Sequence, residues 1–377
     1  MKIAVLLRTR ELSGTQKRSA KIASALNQRG HQATLFYDKK TYKTLTKLNY
    51  EIDWPPIVVW SYPKWLSLLD IGGTKFERLR EILGLERIKI WGRKRYWSRL
   101  FNEHEIDVAH IYIKWRLCQE MPIPHIFEIT SPTIARNILE FGNPFPPQTV
   151  LHPNSEGVAD VLADLEANNE IVVAPHAYFD PTDVSGSEPT AKENLVVFGH
   201  RLIPRKNPIV FAKAAKRFLA EKPDWKVAIR GLGPEQEEVE SILAEEINDG
   251  RALIGFDPNL MKELQRSRVF VSIESEDNYS NQSVLEAMWC YNALLMSDRG
   301  RTRARYYAQN GKLCDPDENS VFEALLEITH DPEKLCEMAM NGRNHVEANF
   351  NREKYLEHIE ITLASAIKNS QGQRDDE

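Results

Sequence analysis

The segment LVVFGHRLIPRKNPIVFAKAAKRFLAEKPDWKVAIRG, residues 195–231, has the pattern of one strand–helix–strand unit. Its apolar beginning, LVVFG, predicts a buried strand, and Pro208 to Leu219 predicts a helix with one apolar face. Its end, KVAIRG, predicts a second strand. Because a helical crossover joins parallel strands with a right-handed sense, we expect a parallel sheet in this part of the chain.

The same alternation continues on the C-terminal side. We predict a helix from Pro234 to Asn248, opened by Pro and Glu, and another from Ser283 to Cys290. The runs RALIGF (251–256), RVFVSIES (268–275) and ALLMSD (293–298) predict further strands.

An equivalent unit begins the chain. KIAVLLR (2–8) predicts a strand, and a helix from about Thr15 to Arg29 follows the small polar turn Ser13-Gly14-Thr15. Gly30 ends this helix, and QATLFY (32–37) predicts the next strand. Later strands are expected at 107–112, 125–129 and 170–174.

A break separates the two sets of elements. The stretch from Phe179 to Asn194, FDPTDVSGSEPTAKEN, has no apolar period and is rich in Pro, Asp, Ser, Thr and Gly, as interdomain linkers are. The predicted fold class is α/β, with two Rossmann-like doubly wound domains facing each other across a cleft. We expect an N-terminal acceptor-binding domain (1–182), a linker (183–194), a C-terminal nucleotide-sugar-binding domain (195–350), and a C-terminal helix with a disordered tail (351–377), the helix packing back toward the N-terminal domain.

Length and composition agree with a two-domain protein. The chain has 377 residues, of which 42% are hydrophobic and 27% charged. The formal net charge of -5 gives no general attraction to nucleic acid, so nucleic acid is not expected as a partner. The apolar run Met1 to Leu7 is too short for a signal peptide or a membrane span, which favours a cytoplasmic location. Four scattered cysteines share no metal-like spacing and predict free thiols in a reducing compartment.

Two cations follow the first strand of the C-terminal half. The strand ending at Phe198 is expected to deliver Arg201 and Lys206 to the edge of the sheet. A guanidinium and an ammonium at fixed positions suit the diphosphate of a leaving group. The alternative is that both charges are simply solvated on a loop.

Two further segments come after later strands. Gly231 and Gly233 allow a ligand to approach the backbone closely, or serve turn geometry alone. The polar loop 275–282 leads into a short helix, whose first N–H groups, around Ser280 to Gln282, would face phosphates. Glu286 lies among apolar helix residues and needs a partner, for which we consider ribose hydroxyls or a nearby arginine.

Together these segments resemble the nucleotide-sugar half of the large retaining glycosyltransferase family of GT-B fold, the glycosyl transferases group 1, which includes sucrose-phosphate synthases and many lipopolysaccharide and mannosyl transferases. The resemblance covers roughly residues 195–350 well and the N-terminal half loosely. The family's motifs Gly-Arg-Leu…Lys-Gly, Gly-x-Gly-Pro, Leu-Glu-Ala-Met, Ser-Asp…Asn-Gly-x-Leu and Arg-Gly-His are matched by HRLIPRKN (200–207), IRGLGPE (229–235), SVLEAM (283–288), SDRG…NGKLCDPD (297–317) and QRGH (28–31).

The sequence departs from the family at the sugar site. The family has a second glutamate eight positions before the one matched by Glu286, and Asn278 stands there in this chain. The usual Gly-Phe-Gly becomes Tyr279-Ser280-Asn281, with Glu276 and Asp277 as neighbouring acids. The family's histidine after the Pro-led N-domain strand aligns with Thr130, flanked by Glu128 and Ser131. These departures point to a donor other than the commonest glucose or mannose case, to a different way of holding it, or to lost activity.

The resemblance implies transfer of a sugar from a nucleotide-diphosphate donor to a glycan, lipid-linked or small-molecule acceptor, with retention at the sugar carbon. No paired-Asp metal motif is evident, so we expect metal-independent catalysis, with no metal ligands and no cofactor besides the donor substrate. The implied catalytic residues are Arg201, Lys206, Asn278 and Glu286. Donor diphosphate or nucleotide binding is expected at Gly231, Gly233, Ser280, Asn281 and Gln282. The acceptor or sugar side is expected at Gly14, Thr15, Glu128, Thr130 and Ser131.

Residues 87–100, RIKIWGRKRYWSRL, combine six Lys or Arg with Trp91, Tyr96 and Trp97. Interleaved basic and aromatic residues are typical of segments that dock on an anionic membrane surface, as an enzyme with a lipid-linked acceptor would require. The same composition could contact a phosphorylated glycan or a nucleic acid. A solvated helix with inward aromatic side chains is the structural alternative.

Other functions remain open at this stage. A catalytically inactive GT-B-fold protein that binds a glycan or nucleotide would explain Asn278 and Thr130. An epimerase or phosphorylase shares the two-Rossmann architecture, because fold does not fix function. A transferase acting on modified DNA bases has little support from the acidic net charge. A dehydrogenase is disfavoured, because no Gly-x-Gly-x-x-Gly follows the first strand.

Overall fold

The computed structural model describes residues 1–8, 14–45, 54–68, 85–142, 145–163, 169–180, 192–257, 260–276, 279, 281–300 and 302–375. They form two compact units, each built on one six-stranded sheet. Unit 1 comprises Met1–His176 and Glu353–Glu377, and unit 2 comprises Ala177–Arg352. Every strand pair among the described residues is parallel, as the alternation of strands and helices predicts.

The sheet of unit 1 has the strand order β3-β2-β1-β4-β5-β6. The chain runs outward from β1 in one direction and then from β4 in the other, so the order reverses between these two strands. Its strands are β1 (Lys2–Leu7), β2 (Gln32–Asp38), β3 (Ile57–Trp60), β4 (Val108–Tyr112), β5 (His125–Ile129) and β6 (Thr149–Pro153).

The sheet of unit 2 repeats this order as β9-β8-β7-β10-β11-β12, with the reversal between β7 and β10. In open parallel sheets the crevice at such a reversal, outside the carboxyl ends of the strands, is where ligands bind. Its strands are β7 (Leu195–Phe198), β8 (Lys226–Arg230), β9 (Ala252–Gly255), β10 (Val269–Ser272), β11 (Ala293–Ser297) and β12 (Gly311–Cys314).

Helices connect the strands on both sheet faces. Those of unit 1 are α1 (Gly14–Gln28), α2 (Lys39–Leu45), α3 (Lys64–Leu68), α4 (Leu85–Glu103), α5 (Pro132–Glu140) and α6 (Glu156–Leu162), with a short 3₁₀ helix at Trp115–Glu120. Those of unit 2 are α7 (Pro208–Glu221), α8 (Gln236–Ile242), α9 (Ala244–Asn248), α10 (Leu260–Arg266), α11 (Gln282–Trp289), α12 (Thr302–Tyr306), α13 (Glu318–Ile328) and α14 (Pro332–Asn349), with a 3₁₀ helix at Pro204–Lys206. The last helix is α15 (Arg352–Asp375).

The strands of unit 2 are apolar on both faces because both faces are covered. On one side Phe198 stacks on Phe211 of α7 at 5.1 Å between ring centroids, within a core that includes Leu325 of α13. On the other side Phe270 and Met288 belong to a second core, which contains the apolar face of α11. A sheet covered in this way leaves its functional side chains to the loops at the strand ends.

Several predicted elements differ in the structure. Residues 170–174 are not a strand, and only an isolated bridge joins Ile171 to Leu151, which lies in the unpredicted strand β6. The helix predicted from Pro234 to Asn248 is divided at Leu243 into α8 and α9. Of the linker at 183–194, residues 183–191 lie outside those described.

The C-terminal helix α15 extends to Asp375, so most of the expected disordered tail, SQGQRDDE at 370–377, is helical. Its inner face buries Tyr355, Leu356 and Ile359, and the residues from Glu353 onward belong to unit 1. Arg29, directly after α1, donates to Glu353 at 2.6 Å and to Glu360 at 2.7 Å, which fixes one edge of α15. Of the helices described, none has the length and apolar character needed to cross a membrane.

Candidate functional site

The loop that follows β7 carries the two predicted diphosphate-binding cations. It continues from Phe198 through a short 3₁₀ helix, Pro204–Lys206, and turns into α7 at Asn207. Asn207 has a left-handed backbone, φ 53° and ψ 44°, at the position where the resembling family has glycine. Asparagine tolerates this conformation better than most residues, and its Nδ2 donates to the Ile273 carbonyl at 2.7 Å. Arg201 is exposed on this loop.

The glycines of the next loop allow it to lie directly on the loop after β7. A methyl group on Gly231 would fall 2.9 Å from the carbonyl carbon of His200 and closer still to the oxygen. A methyl group on Gly233 would meet the backbone of Leu202 in the same way. The Leu202 N–H donates to Leu232 O at 3.0 Å, which locks the two loops together. The glycine pair is therefore required by packing between these loops.

A buried carboxylate that sequence reasoning missed lies beyond β10. Glu274 is 2% exposed and receives hydrogen bonds from Lys206 and, at 2.7 Å, from Arg205. Asn281 Nδ2 donates to the same carboxylate at 3.1 Å, and Ser297 Oγ donates to the Glu274 carbonyl at 2.7 Å. The only signal in the sequence was an acidic residue at the end of a mostly apolar run. Its two cationic partners are 68 and 69 positions away in the chain.

The charge on Lys206 depends on this carboxylate. Burial lowers the pKa of the Lys206 ammonium, and Glu274 opposes that fall, while Arg205 and Arg201 add to it. His200 lies next to this group with its Nε2 3.2 Å from the Val271 carbonyl, and burial holds its pKa well below the ordinary value. His200 is therefore neutral, and the local charge comes from three cations and Glu274.

Helix α11 begins at this cluster. Asn281 caps it by accepting from the Ser283 N–H at 3.2 Å. The Asn281 N–H itself donates to the Tyr306 hydroxyl at 2.6 Å, so this predicted phosphate donor already has a partner inside the chain. Gln282 is half-buried in the first turn, and Glu286 is 8% exposed one turn further on. Asn278 and Ser280, also predicted for the site, lie outside the described residues.

In unit 1 the predicted residue Glu128 is fully buried. Its carboxylate accepts from Arg18 of α1, from His152 Nδ1 at 2.6 Å and from His110 Nε2 at 3.2 Å. Burial raises the pKa of Glu128, but Arg18 and the two histidines outweigh it and hold the pKa well below the ordinary range. Glu128 has no exposed surface here, which corrects its expected position on the acceptor side.

This cluster also has the composition of a metal site. The facing atoms of His110, Glu128 and His152 lie within 4.8 Å of one another, and two imidazoles with a carboxylate are a common zinc ligand set. Arg18, however, already supplies the cation that the carboxylate needs. A divalent ion would have to share a buried carboxylate with a guanidinium, which is electrostatically costly. The hydrogen bonds account for the cluster without an ion.

The other predicted acceptor-side residues lie at strand ends in unit 1. Gly14 begins α1, and Thr15 follows in its first turn, half-buried. Thr130 and Ser131 follow β5, and both are half-buried. The Ser131 hydroxyl caps α5 by accepting from the Ile134 N–H at 3.3 Å, so part of its hydrogen-bonding capacity serves the fold.

The basic and aromatic segment 87–100 is divided between core and surface. Trp97 is fully buried, and Arg93 points inward to Glu120 at 2.6 Å. Outward-facing side chains form what we name the basic-aromatic surface. It consists of Trp65 of α3 with Ile88, Trp91, Lys94, Arg95 and Arg99 of α4.

The ring of Trp65 packs directly on α4, since a methyl group on Gly92 would clash with it. Trp65 is 50% exposed and Trp91 is 59% exposed.

Comparison with known proteins finds a family match within unit 2. Residues 181–345 match the family model described as glycosyl transferases group 1. No match was found among curated proteins.

Solved structures match along the whole chain. Sucrose-phosphate synthase from Thermosynechococcus elongatus aligns with a TM-score of 0.67 and 15% identity, covering 99% of this chain and 98% of that one. Anabaena Alr3699/HepE, solved with UDP-glucose, aligns with a TM-score of 0.71 and 17% identity, covering 97% and 100%. A variant of S. aureus TarM, solved with fondaparinux, α-GlcNAc-glycerol and UDP, aligns with a TM-score of 0.70 and 11% identity. The alignment covers 97% of this chain and 100% of that one. At these identities the likeness shows the fold, which is GT-B.

Proposed function

Because residues 181–345 match the glycosyl transferases group 1 model and the fold is GT-B, we propose that this chain transfers a sugar from a nucleotide diphosphate to a glycan, lipid-linked or small-molecule acceptor. We further propose that catalysis is metal-independent, needs no cofactor besides the donor substrate and retains configuration at the sugar carbon. Retention rests on family membership alone. The observation that carries the proposal is the cation cluster at the strand-order reversal between β7 and β10.

The chemistry requires a nucleoside diphosphate to leave a sugar carbon. Negative charge develops on the phosphate oxygens, so preorganised cations lower the barrier more than they stabilise the ground state. Arg201 and Lys206 are assigned to this charge, and the Gln282 N–H at the start of α11 assists. Glu286 is assigned to the ribose hydroxyls. Gly231 and Gly233 act by allowing the loop that carries both cations to sit in place.

The acceptor is assigned to unit 1, at Gly14, Thr15, Thr130 and Ser131. These residues follow β1 and β5 at the carboxyl edge of the sheet, where ligands of such folds bind. The buried Glu128 carboxylate accepts from Arg18 and so fixes α1, which begins at Gly14 and Thr15. The compounds bound to the TarM variant and the UDP-glucose bound to the Anabaena protein make uridine nucleotides and short glycans the first compounds to test.

A lipid-linked acceptor is supported by the basic-aromatic surface. Exposed rings at Trp65 and Trp91 suit the interfacial layer of a bilayer, and Lys94, Arg95 and Arg99 suit anionic headgroups. Flotation with liposomes that contain anionic lipid tests this assignment. We expect binding at low salt that Trp91→Ala weakens, while Phe141→Ala, which removes a ring that is 61% exposed elsewhere in unit 1, leaves it unchanged. Equal flotation of both variants would reject the membrane contact.

The alternative is an inactive glycan- or nucleotide-binding protein. Asn278, a neutral residue where the family has a glutamate, favours it. A thermal-shift screen against nucleotides and nucleotide sugars is the first experiment, since a ligand at a hundred times its dissociation constant stabilises the folded state by about 2.7 kcal/mol. Stabilisation followed by donor hydrolysis or transfer supports the enzyme. Stabilisation with no turnover for any donor supports the binding protein.

Lys206→Ala is the residue-level test. We expect transfer to fall by about 10²–10³-fold, the usual consequence of removing one preorganised group that stabilises developing charge. Circular dichroism and the unfolding temperature should show that the variant is folded. Turnover close to that of the unchanged protein would remove Lys206 from the site.

A further inference from the structure

Glu274 connects the loop after β7 to the start of α11. Its carboxylate receives Lys206 and Arg205 from the loop after β7 and Asn281 from the N-terminal end of α11. The backbone strengthens the same connection, because the Ser275 N–H donates to Arg205 O at 3.0 Å. Glu274 is 2% exposed, so solvent does not compete for these bonds.

The surroundings of Lys206 would otherwise favour its neutral form. The Lys206 side chain is 13% exposed, and both burial and the neighbouring charges of Arg205 and Arg201 disfavour a further cation. His200, the remaining titratable neighbour, is neutral. Among the described residues, Glu274 is the acidic group in contact with Lys206. An ammonium in this position depends on that one carboxylate.

We infer that Glu274 is a positioning residue, which holds Lys206 charged and oriented for the donor diphosphate and couples it through Asn281 to the helix that bears Glu286. This inference rests on the proposed function. The ammonium has three N–H donors, one of which goes to Glu274. Two remain for phosphate oxygens, so the carboxylate and the diphosphate share Lys206 and do not compete for it.

The test is the pH dependence of Lys206 in Glu274→Gln and Glu274→Asp. Glutamine keeps the shape and one accepting oxygen but removes the charge. With that oxygen toward Lys206, the hydrogen bond from Arg205 is lost as well. An opposite charge at this distance shifts a pKa by one to three units. We therefore expect the alkaline limb of kcat/KM against pH to move at least about one unit to lower pH in Glu274→Gln, and Glu274→Asp to restore most of it.

Direct titration of Lys206 by ¹³C NMR, after reductive methylation, gives the same shift without any turnover. The matched control is Glu120→Gln, which breaks a comparably buried Glu–Arg pair with Arg93 in unit 1. It should leave both the profile and the Lys206 titration unchanged.

Three outcomes distinguish failure of the positioning role of Glu274 from failure of the proposed function. If Lys206 titrates in Glu274→Gln as it does in the unchanged protein, the inference is overturned and the proposed function stands. If Glu120→Gln moves the profile equally, the effect is general destabilisation and the inference is again overturned. If the unchanged protein neither binds UDP, GDP or ADP nor turns over any nucleotide sugar, the proposed function has failed, and the inference with it.

Discussion

Gly231→Ala tests how closely the two loops of the donor site must approach. The added methyl would lie 2.9 Å from the His200 carbonyl carbon and nearer to the oxygen, whereas ordinary contacts of this kind begin at 3.4 Å. Both atoms belong to the backbone, so no side chain can rotate away. The oxygen would be only 1.9 Å away, so the two loops must separate by more than 1 Å. Arg201 and Lys206 move with the loop after β7.

A displacement of about 1 Å in catalytic groups costs on the order of 10²-fold in rate. This factor corresponds to about 2.7 kcal/mol of lost transition-state stabilisation. We expect Gly231→Ala to lower kcat/KM for the donor by roughly that factor. Nucleoside diphosphate affinity, measured by calorimetry, should fall as well, because the same cations hold the ground-state diphosphate.

Gly342→Ala is the matched control for this substitution. Gly342 lies inside α14, and a methyl there would meet Met288 Cγ at 3.4 Å and Asn310 Cβ at 3.5 Å, which are ordinary contacts. We expect unchanged activity and a slightly higher unfolding temperature, since alanine is the better helix former. If Gly231→Ala retained full activity and nucleotide affinity, loop packing would not position the cations, and the reasoning would fail.

Two further predictions concern stability. Asn207→Ala should unfold at a lower temperature than Asn207→Gly, by an amount equivalent to about 1 kcal/mol. Both variants lose the same side-chain hydrogen bonds, but only glycine adopts φ 53° freely. Equal unfolding temperatures would contradict this. Burial lowers the pKa of His125 to about 4, so the folded state resists a proton that the unfolded state accepts near pH 6.5. The stability that depends on neutral His125 is therefore fully present above pH 6.5. Lowering the pH to 5 should reduce the free energy of unfolding by about 2 kcal/mol. Urea titrations at pH 7 and 5 measure this drop in the free energy of unfolding. In His125→Gln the drop should be smaller by that amount than in the unchanged protein, and an identical drop would refute the assignment.

Much of the α/β architecture was predictable because short hydrophobic patterns along the chain indicate its strands and helices. Buried runs such as 195–198 and 269–271 are apolar throughout, and glycines or small polar residues follow them. Strand β3 has four residues and comes directly after Pro55 and Pro56. Its hydrophobic pattern is too short to predict a strand from the sequence. Its place is decided by pairing with β2.

The candidate site was predictable to the extent that its groups follow strands. Arg201, Lys206 and Glu286 could be selected from their positions in short motifs. Glu274 could not, because its importance comes from partners supplied by other loops. Glu128 was misread for the same reason, since its neighbours Arg18 and His152 come from α1 and β6. Local sequence reports strand ends well but not which side chains face inward.

The return of α15 to unit 1 has a consequence for biosynthesis. Unit 1 is discontinuous in the chain, and the stretch from Glu353 emerges from the ribosome only after all of unit 2 has been made. Until then the places of Tyr355, Leu356 and Ile359 in its core are vacant, with apolar surface left uncovered. Unit 2 is contiguous and can complete its folding first, so the half that is translated first is the half that matures last.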